Sequence, residues 1–223
     1  MATNRSYQVK NKKILITAGP TWVAIDNVRV ISNIATGETG ILLAEQLRKN
    51  GAKVSLLLGP AGVCCLHKDI KLIRFKFFDE LEGLIKKELG SKKYDIVIHS
   101  AAVSDYRPMK VYQGKMRSGN NNWALNLTPT QKLINSIKKF DPGVFLVGFK
   151  FEPKAQKAKL IYRARSLISA SGADLVVANS NYHSRYSAYL VDREEVSCGL
   201  SSRISLVKKL AKKVGRYERA KHK

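Results

Sequence analysis

The chain has 223 residues, 44% of them hydrophobic and 8% aromatic, a globular composition that excludes disorder throughout. No apolar run approaches the roughly 18 residues of a membrane span, and MATNRSYQVKNKK lacks the apolar centre of a signal peptide, so a cytoplasmic protein is expected. Forty Lys and Arg against 17 Asp and Glu give a formal charge of +23, which attracts any polyanion and cannot alone choose among nucleic acid, anionic membrane and phosphorylated small molecules.

Taken in chain order, KKILITAG (12–19) is a continuous apolar run with a glycine stop, the pattern of a strand buried on both faces. A polar loop follows, then GETGILLAEQLRKNG, where Ile41, Leu42, Ala44 and Leu47 line one helical face before Gly51 ends it. AKVSLLLGP (52–60) is a strand and DIKLIRFK (69–76) a weaker one. DELEGLIKKELG is a helix with acids in its first turn and lysines in its last, as the helix dipole favours. YDIVIHSAAV is a fourth strand. After a long polar stretch, TQKLINSIKKF reads as helix, GVFLVGF as strand, QKAKLIYRARSLISASG as a helix ending on Gly172, and ADLVVANS as a short buried strand. SAYLVD and EEVSCG pair as a C-terminal β-hairpin. In SLVKKLAKKVGRYERAKHK, Leu206, Leu210 and Val214 recur every fourth residue among lysines, an amphipathic helix running into a basic tail. Strands alternating with helices, and too apolar to face water, imply an α/β fold: one parallel sheet covered on both faces, in a single domain over 1–223 with its core at 12–215.

The three cysteines, Cys64, Cys65 and Cys198, form no CxxC pair or His-spaced set, so neither a zinc site nor a disulfide framework is indicated. In parallel sheets ligands collect beyond the carboxyl ends of the strands, near the point where strand order reverses. The loops there, beginning ITAGPT, HSAAVSDYRP, VGFKFEP and VVANSNYH, carry side chains that plain turns do not need.

The first loop holds Gly19, Thr21, Asp26, Arg29, Ser32, Asn33, Thr36, Gly37 and Gly40. A dinucleotide fingerprint places G-x-G-x-x-G directly after the strand, whereas here only Gly19 follows it and Gly37 and Gly40 come later, which disfavours a plain nicotinamide site. Gly37 and Gly40 either free amides for a phosphate or carboxylate, with Thr36 as hydroxyl donor, or serve packing, with Thr36 as a cap. Asn33 either caps the helix or donates to a developing oxyanion. RPMKVYQGKMRSGNNN (107–122), basic and rich in Gly and Asn, has the character of a mobile flap or of an exposed charged loop. His99, Ser100 and Asp105 lack the G-x-S-x-G elbow of a hydrolase. Phe149 either flanks a nucleobase or fills the core, and Lys150 beside it is harder to place in a core.

In this order, ITAGPT, IDNVRVISNIATGETG, AAVSDYRP, GKM, VGFKFE and DLVVAN resemble phosphopantothenoylcysteine synthetase over about residues 13 to 215. No flavin-dependent decarboxylase segment precedes them, as in the free-standing form. The resemblance implies a Rossmann-like, three-layer fold and a ligase of coenzyme A biosynthesis. There the carboxylate of 4'-phosphopantothenate attacks the α-phosphate of CTP, or of ATP, and L-cysteine then displaces the nucleotide from the acyl nucleotidylate. It implies Mg²⁺ with the triphosphate, a homodimer, and no membrane or nucleic-acid partner.

By the same resemblance Asn33 and Lys115 are catalytic. The nucleotide is bound by Ser100, Ala101, Asp105, Lys115, Lys132, Phe149 and Lys150. Phosphopantothenate is bound by Gly19, Thr21, Arg29, Asn33, Thr36, Gly37, Gly40 and Ala102. Asn179 belongs to the last motif without an assigned role. Many relatives carry Glu where this chain has Val23, and phosphate-binding lysines where Leu167 and Ser171 align, so phosphate handling is expected to shift to Lys132 or Lys150. Two other classes remain open: an NADPH-binding reductase, and a basic nucleic-acid-binding module.

Overall fold

The computed structural model describes residues 9–62, 66–119, 122–182 and 185–217, so Cys64, Cys65, and Asn120 and Asn121 of the flap lie outside the described residues. The chain runs β1 (Lys13–Ala18), β2 (Trp22–Ala24), β3 (Val30–Ser32), α1 (Glu38–Lys49), β4 (Lys53–Leu58), β5 (Lys71–Arg74), α2 (Phe78–Gly90) and β6 (Ile96–His99). There follow β7 (Tyr106–Pro108), β8 (Leu127–Pro129), α3 (Ile134–Phe140), β9 (Phe145–Phe151), α4 (Lys157–Ser171), β10 (Leu175–Tyr182), β11 (Arg185–Val191) and α5 (Arg203–Gly215).

Seven strands form one sheet in the order β11-β10-β9-β6-β1-β4-β5, parallel throughout except where β11 pairs antiparallel with β10. The parallel sheet is the one expected from the alternating elements, and the fold is the Rossmann-like one that the resemblance implies. The chain winds outward from β1 to β5, then returns to β6 on the other side of β1, and the two halves diverge there. The C-terminal hairpin is built differently from its sequence reading. SAYLVD pairs mainly with β10, whereas EEVSCG runs back along it only through isolated bridges at Val191–Val196 and Ala188–Leu200.

Side chains alternate between two cores. Ile14, Ile16 and Ala18 of β1 pack with Leu43 and Leu47 of α1 and with Leu206, Leu210 and Val214 of α5 on one face. Leu15 turns to the other face, among Leu81 and Ile85 of α2, Ile137 of α3 and Leu160 and Ala164 of α4. Both faces are thus sealed, as a parallel sheet requires, and the fourfold spacing in α5 is the buried stripe it was read to be. Among the described residues no helix is long and apolar enough to cross a membrane.

Two short hairpins escaped the sequence reading: β2–β3 within the loop after β1, and β7–β8 flanking the flap. Each strand has three residues, mostly exposed or half-buried, too short to show an alternation. The strand read through Val103 stops at His99, because the chain then crosses toward β1: Ala102 N–H donates to the Gly19 carbonyl (2.9 Å), and its own carbonyl accepts from Thr21 N–H (3.3 Å).

Candidate active site

The carboxyl ends of β1 and β6 meet at the strand-order reversal and are laced together. Thr17 Oγ1 and the His99 Nδ1 are 2.8 Å apart, and the Ser100 hydroxyl donates to the Thr17 carbonyl at 2.7 Å. Ala101 N–H donates to Thr17 Oγ1 (3.3 Å), so the threonine proton points at the imidazole and His99 accepts as the neutral ring. Burial pushes the His99 pKa down to about 4, which keeps that neutral form at neutral pH. One step further, Ser104 N–H donates to Thr21 Oγ1 (2.9 Å) and Thr21 Oγ1 to Ser104 Oγ (3.1 Å). Thr21 and Ser104 are buried, so Thr21 acts here by tying the two strand ends together.

Gly19, Gly37 and Gly40 stand where backbones crowd. Gly19 has φ +79° with Gly59 behind it, and Gly37 has φ +75° with Gly19 N only 3.2 Å from where its Cβ would lie. Both positions need glycine for conformation and for space. Gly40, buried in the first turn of α1, lets the helix press on β1: a Cβ there would stand 2.3 Å from the Ala18 Cβ and 2.9 Å from Ser100 Oγ. The N-cap of α1 is Gly37 itself, without a side-chain cap, and Thr36 before it only accepts a long bond from Glu38 N–H (3.4 Å). Glu38 then pairs with Arg203 of α5 (3.3 Å).

Asn33 follows β3 and reaches across to the β6 loop. Its Nδ2 donates to the carbonyls of Ala102 (3.0 Å) and Val103 (3.2 Å). Both amide protons are thereby used, and two carbonyl partners fix the amide's orientation. Among the described residues Asn33 Oδ1 has no hydrogen bond, so the group it offers is an acceptor rather than the oxyanion donor its position suggested.

Arg29 and Lys115 belong to a second unit. The turn of the β2–β3 hairpin carries Asp26, whose carboxylate takes the Arg29 guanidinium at 2.6 Å. The same Arg29 nitrogen donates to the Met116 carbonyl (3.2 Å), and the guanidinium lies 5.4 Å from the Trp123 ring centre. Arg29 therefore bridges hairpin and flap. Beside Met116, Lys115 is exposed and its ammonium has no partner among the described residues.

The remaining nucleotide-side residues are dispersed. Asp105 and Lys132, both largely exposed, form an ion pair. Phe149 packs toward the α1 and α5 side, whereas Lys150, next in β9, faces the other side and pairs with Glu152 (3.2 Å). Leu167 and Ser171 face the sheet from α4, and Val23 is buried in the same core. Leu167 and Val23 are apolar packing, and the Ser171 hydroxyl donates to the Leu167 carbonyl (2.6 Å), so none of the three offers charge to a phosphate.

Sequence reasoning named Asp26 without a role, carried Ser104 and Met116 only as letters of their motifs, and did not name Trp123. Their joining acts across the chain, Asp26 to Met116 spanning 90 residues, so no local signal pointed to it. Also unforeseen is a hollow of about 730 Å³ beside the start of α1, lined by Glu38, Leu42, Arg185, Tyr186, Ser202 and Arg203. A second, of about 520 Å³, lies at the opposite, amino-terminal edge of the sheet among Lys13, Lys53, Lys71 and Lys93, remote from the strand ends described above. Among the described residues no three His, Cys, Asp or Glu side chains cluster as a metal cage.

This architecture is that of known proteins. The Thermococcus kodakarensis protein named coenzyme A biosynthesis bifunctional protein CoaBC is 40% identical over 172 residues, 77% of this chain and 42% of the relative. The Bacillus subtilis protein of the same name is 32% identical over 80% of this chain and 42% of the relative. The chain thus spans under half the length of these relatives. The crystal structure of the DNA/pantothenate metabolism flavoprotein from Streptococcus pneumoniae superposes with a TM-score of 0.84 at 26% identity, over 93% of this chain and all of that one. A family model matches residues 9–214, nearly all of the described chain. The chain belongs to the family of the DNA/pantothenate metabolism flavoprotein C-terminal domain.

Proposed function

We propose that this chain is a phosphopantothenate–cysteine ligase of coenzyme A biosynthesis. In the first half-reaction a carboxylate oxygen of 4'-phosphopantothenate bonds to the α-phosphorus of CTP, and the bond to pyrophosphate breaks. In the second the cysteine amine bonds to the acyl carbon, loses a proton, and the nucleoside monophosphate leaves. What carries the reading is the strand-order reversal at the joined carboxyl ends of β1 and β6, where Asn33 Nδ2 binds the Ala102 and Val103 carbonyls and leaves Oδ1 as an acceptor, together with an exposed lysine, Lys115, on the segment tied to the β2–β3 hairpin.

Each group has chemistry to match. The Lys115 ammonium neutralises charge as the phosphate oxygens rearrange, a contribution that grows in a site closed to water. Asn33 Oδ1 accepts an N–H from the incoming amine, directing its lone pair at the acyl carbon. Asp105 and Lys132, paired at the mouth of β7–β8, and Phe149 in the adjacent strand are assigned to the nucleotide. Mg²⁺, when bound, screens the triphosphate. The same proposal includes a homodimer. Val28, Ile34, Met109 and Leu127, on or beside the two small hairpins, are 65%, 102%, 70% and 44% exposed, an apolar set that a second copy would cover.

The test is purified protein with 4'-phosphopantothenate, cysteine and Mg²⁺, comparing CTP with ATP by pyrophosphate release and amide formation. Lys115→Gln should abolish acyl nucleotidylate formation by either nucleotide. Asn33→Asp should let it form and stall the amide step, with some loss of stability, since the new carboxylate oxygen would face the Ala102 and Val103 carbonyls. Unimpaired turnover in both variants overturns the site, and no product with either nucleotide overturns the reaction.

A further inference from the structure

The flap carrying Lys115 is joined to the β2–β3 hairpin around one buried carboxylate, Asp26. Asp26 is 3% exposed, and its Oδ1 accepts from Val28 N–H (2.8 Å) and Arg29 N–H (2.7 Å). Those two bonds close the hairpin turn, as an Asp does in many turns, and require nothing elsewhere. The other oxygen reaches beyond the turn: Oδ2 takes the Arg29 guanidinium at 2.6 Å and the Met116 N–H at 3.1 Å. Because Arg29 also donates to the Met116 carbonyl, both backbone groups of Met116 are held by the Asp26–Arg29 pair. On the other side of Lys115, the Gly114 carbonyl accepts from Asn27 N–H (3.1 Å), and Tyr112 N–H donates to the Ile25 carbonyl (3.0 Å). The residues flanking Lys115 are therefore fixed, while its own side chain stays free.

We propose that Asp26 is a positioning residue for Lys115, a latch that locks the flap to the β2–β3 hairpin so that the lysine meets the phosphates from a fixed backbone. The proposal rests on Lys115 acting in the first half-reaction. It also explains why Arg29 stands on the hairpin that leads to Asn33: the residues assigned to the two half-reactions ride on one joined unit. Burial works to raise the Asp26 pKa, but the amides of Val28, Met116 and Arg29 and the guanidinium outweigh it and hold the carboxyl well below the usual range. The latch accordingly stays charged at any pH at which the enzyme would work.

Asp26→Asn keeps the shape but gives the Met116 N–H and Arg29 a neutral amide. We expect acyl nucleotidylate formation to slow by about 10²-fold, the scale of a misplaced reacting group, with the KM for cysteine unchanged. Tryptic cleavage in the flap, at Lys115 and Arg117, should quicken by about tenfold as the segment opens. Asp26→Glu should recover part of both. Slower chemistry without faster cleavage overturns the latch, and faster cleavage with unchanged chemistry overturns its catalytic purpose. The Lys115 assignment is judged separately by Lys115→Gln, and in that background Asp26→Asn must still quicken cleavage at Arg117. If Asp26→Asn does not fold, Trp123→Leu removes the exposed flap ring against Arg29. It must also quicken cleavage at Arg117 at an unchanged melting temperature, and no change there overturns the latch.

Discussion

Gly40→Ala separates packing from ligand binding at the start of α1. In an ordinary helix the change gains about 1 kcal/mol, since alanine is the best helix former and glycine among the worst. Here the new methyl would lie 2.3 Å from the Ala18 Cβ and 2.9 Å from Ser100 Oγ. Carbon atoms settle at about 3.5–4.0 Å, so the helix must retreat by more than an ångström or push β1 aside. Overpacking costs about 1–3 kcal/mol even when a core yields, and β1 is the central strand, buried on both faces. With a contact this short against the central strand the cost falls in the upper part of that range, about 2–3 kcal/mol, so less the helix gain of about 1 kcal/mol the expected net loss is about 1–2 kcal/mol, lowering the melting temperature by roughly 2–8 °C for a chain of this size. Calorimetry and urea unfolding read it directly. The decisive control is the exchange Ala18→Gly with Gly40→Ala, which returns the methyl to the same interface and should recover most of the loss, less about 0.5–1 kcal/mol for glycine in a strand. A single variant as stable as the parent refutes the steric reading. A double variant that recovers stability but not turnover instead assigns Gly40 to the ligand.

The His99 ring makes stability fall on the acid side. Its folded pKa of about 4 lies below the ordinary 6.5, so its contribution is complete above about 6.5 and drains away as the pH falls toward 4, at up to about 1.4 kcal/mol per pH unit. Urea midpoints between pH 7 and 4.5 should show this slope, and His99→Gln should flatten it; an unchanged slope locates the acid sensitivity elsewhere. At the opposite edge of the sheet, Tyr94 donates to the buried Glu88, which also pairs with Lys93 (2.7 Å) and Lys71 (3.3 Å). Tyr94→Phe removes a hydrogen bond to a charged group and should cost about 1.5–3 kcal/mol in urea unfolding without changing turnover. A change in turnover would tie that edge to the site.

The strands of the sheet were legible because a parallel strand covered on both faces must be apolar over its length, as ILITA and VSLLL are. The α5 stripe was legible for the same reason, since burial imposes the 3.6-residue period. The small hairpins were not, since β2–β3 and β7–β8 are held by pairing with each other and by contacts to distant loops, which leave no period in the sequence. The same limit applies within the site. Thr21, Ala102 and Asn33 could be named from their motifs, but which atoms remain available was decided by partners about 70–80 residues away. At Asn33 both amide protons are spent on the Ala102 and Val103 carbonyls, so the atom left over is the acceptor. Arg29 was placed with the substrate by resemblance, and its guanidinium is found spent in part on Asp26 and Met116.

The loop after β1 explains why a dinucleotide-type sheet has a different mouth. In a dinucleotide fold the chain turns at once from the first strand into the first helix, and the pyrophosphate sits on that turn. Here 17 residues lie between Gly19 and Gly37, and the excursion returns so tightly that Gly37 packs on the Gly19 backbone. What it gains between those points is the β2–β3 hairpin. One end of the hairpin sends Asn33 into the β6 loop, and the other holds the flap through Asp26. The ends of β1 and β6 are meanwhile closed to each other by Thr17, Thr21 and Ser104, a base of satisfied hydrogen bonds. The hairpin joins to that base an acceptor, Asn33 Oδ1, and to itself the segment of Lys115, both left without partners among the described residues. For the two-step reaction proposed above, such a base has the merit that neither activating nor attacking a bound acyl group requires it to rearrange.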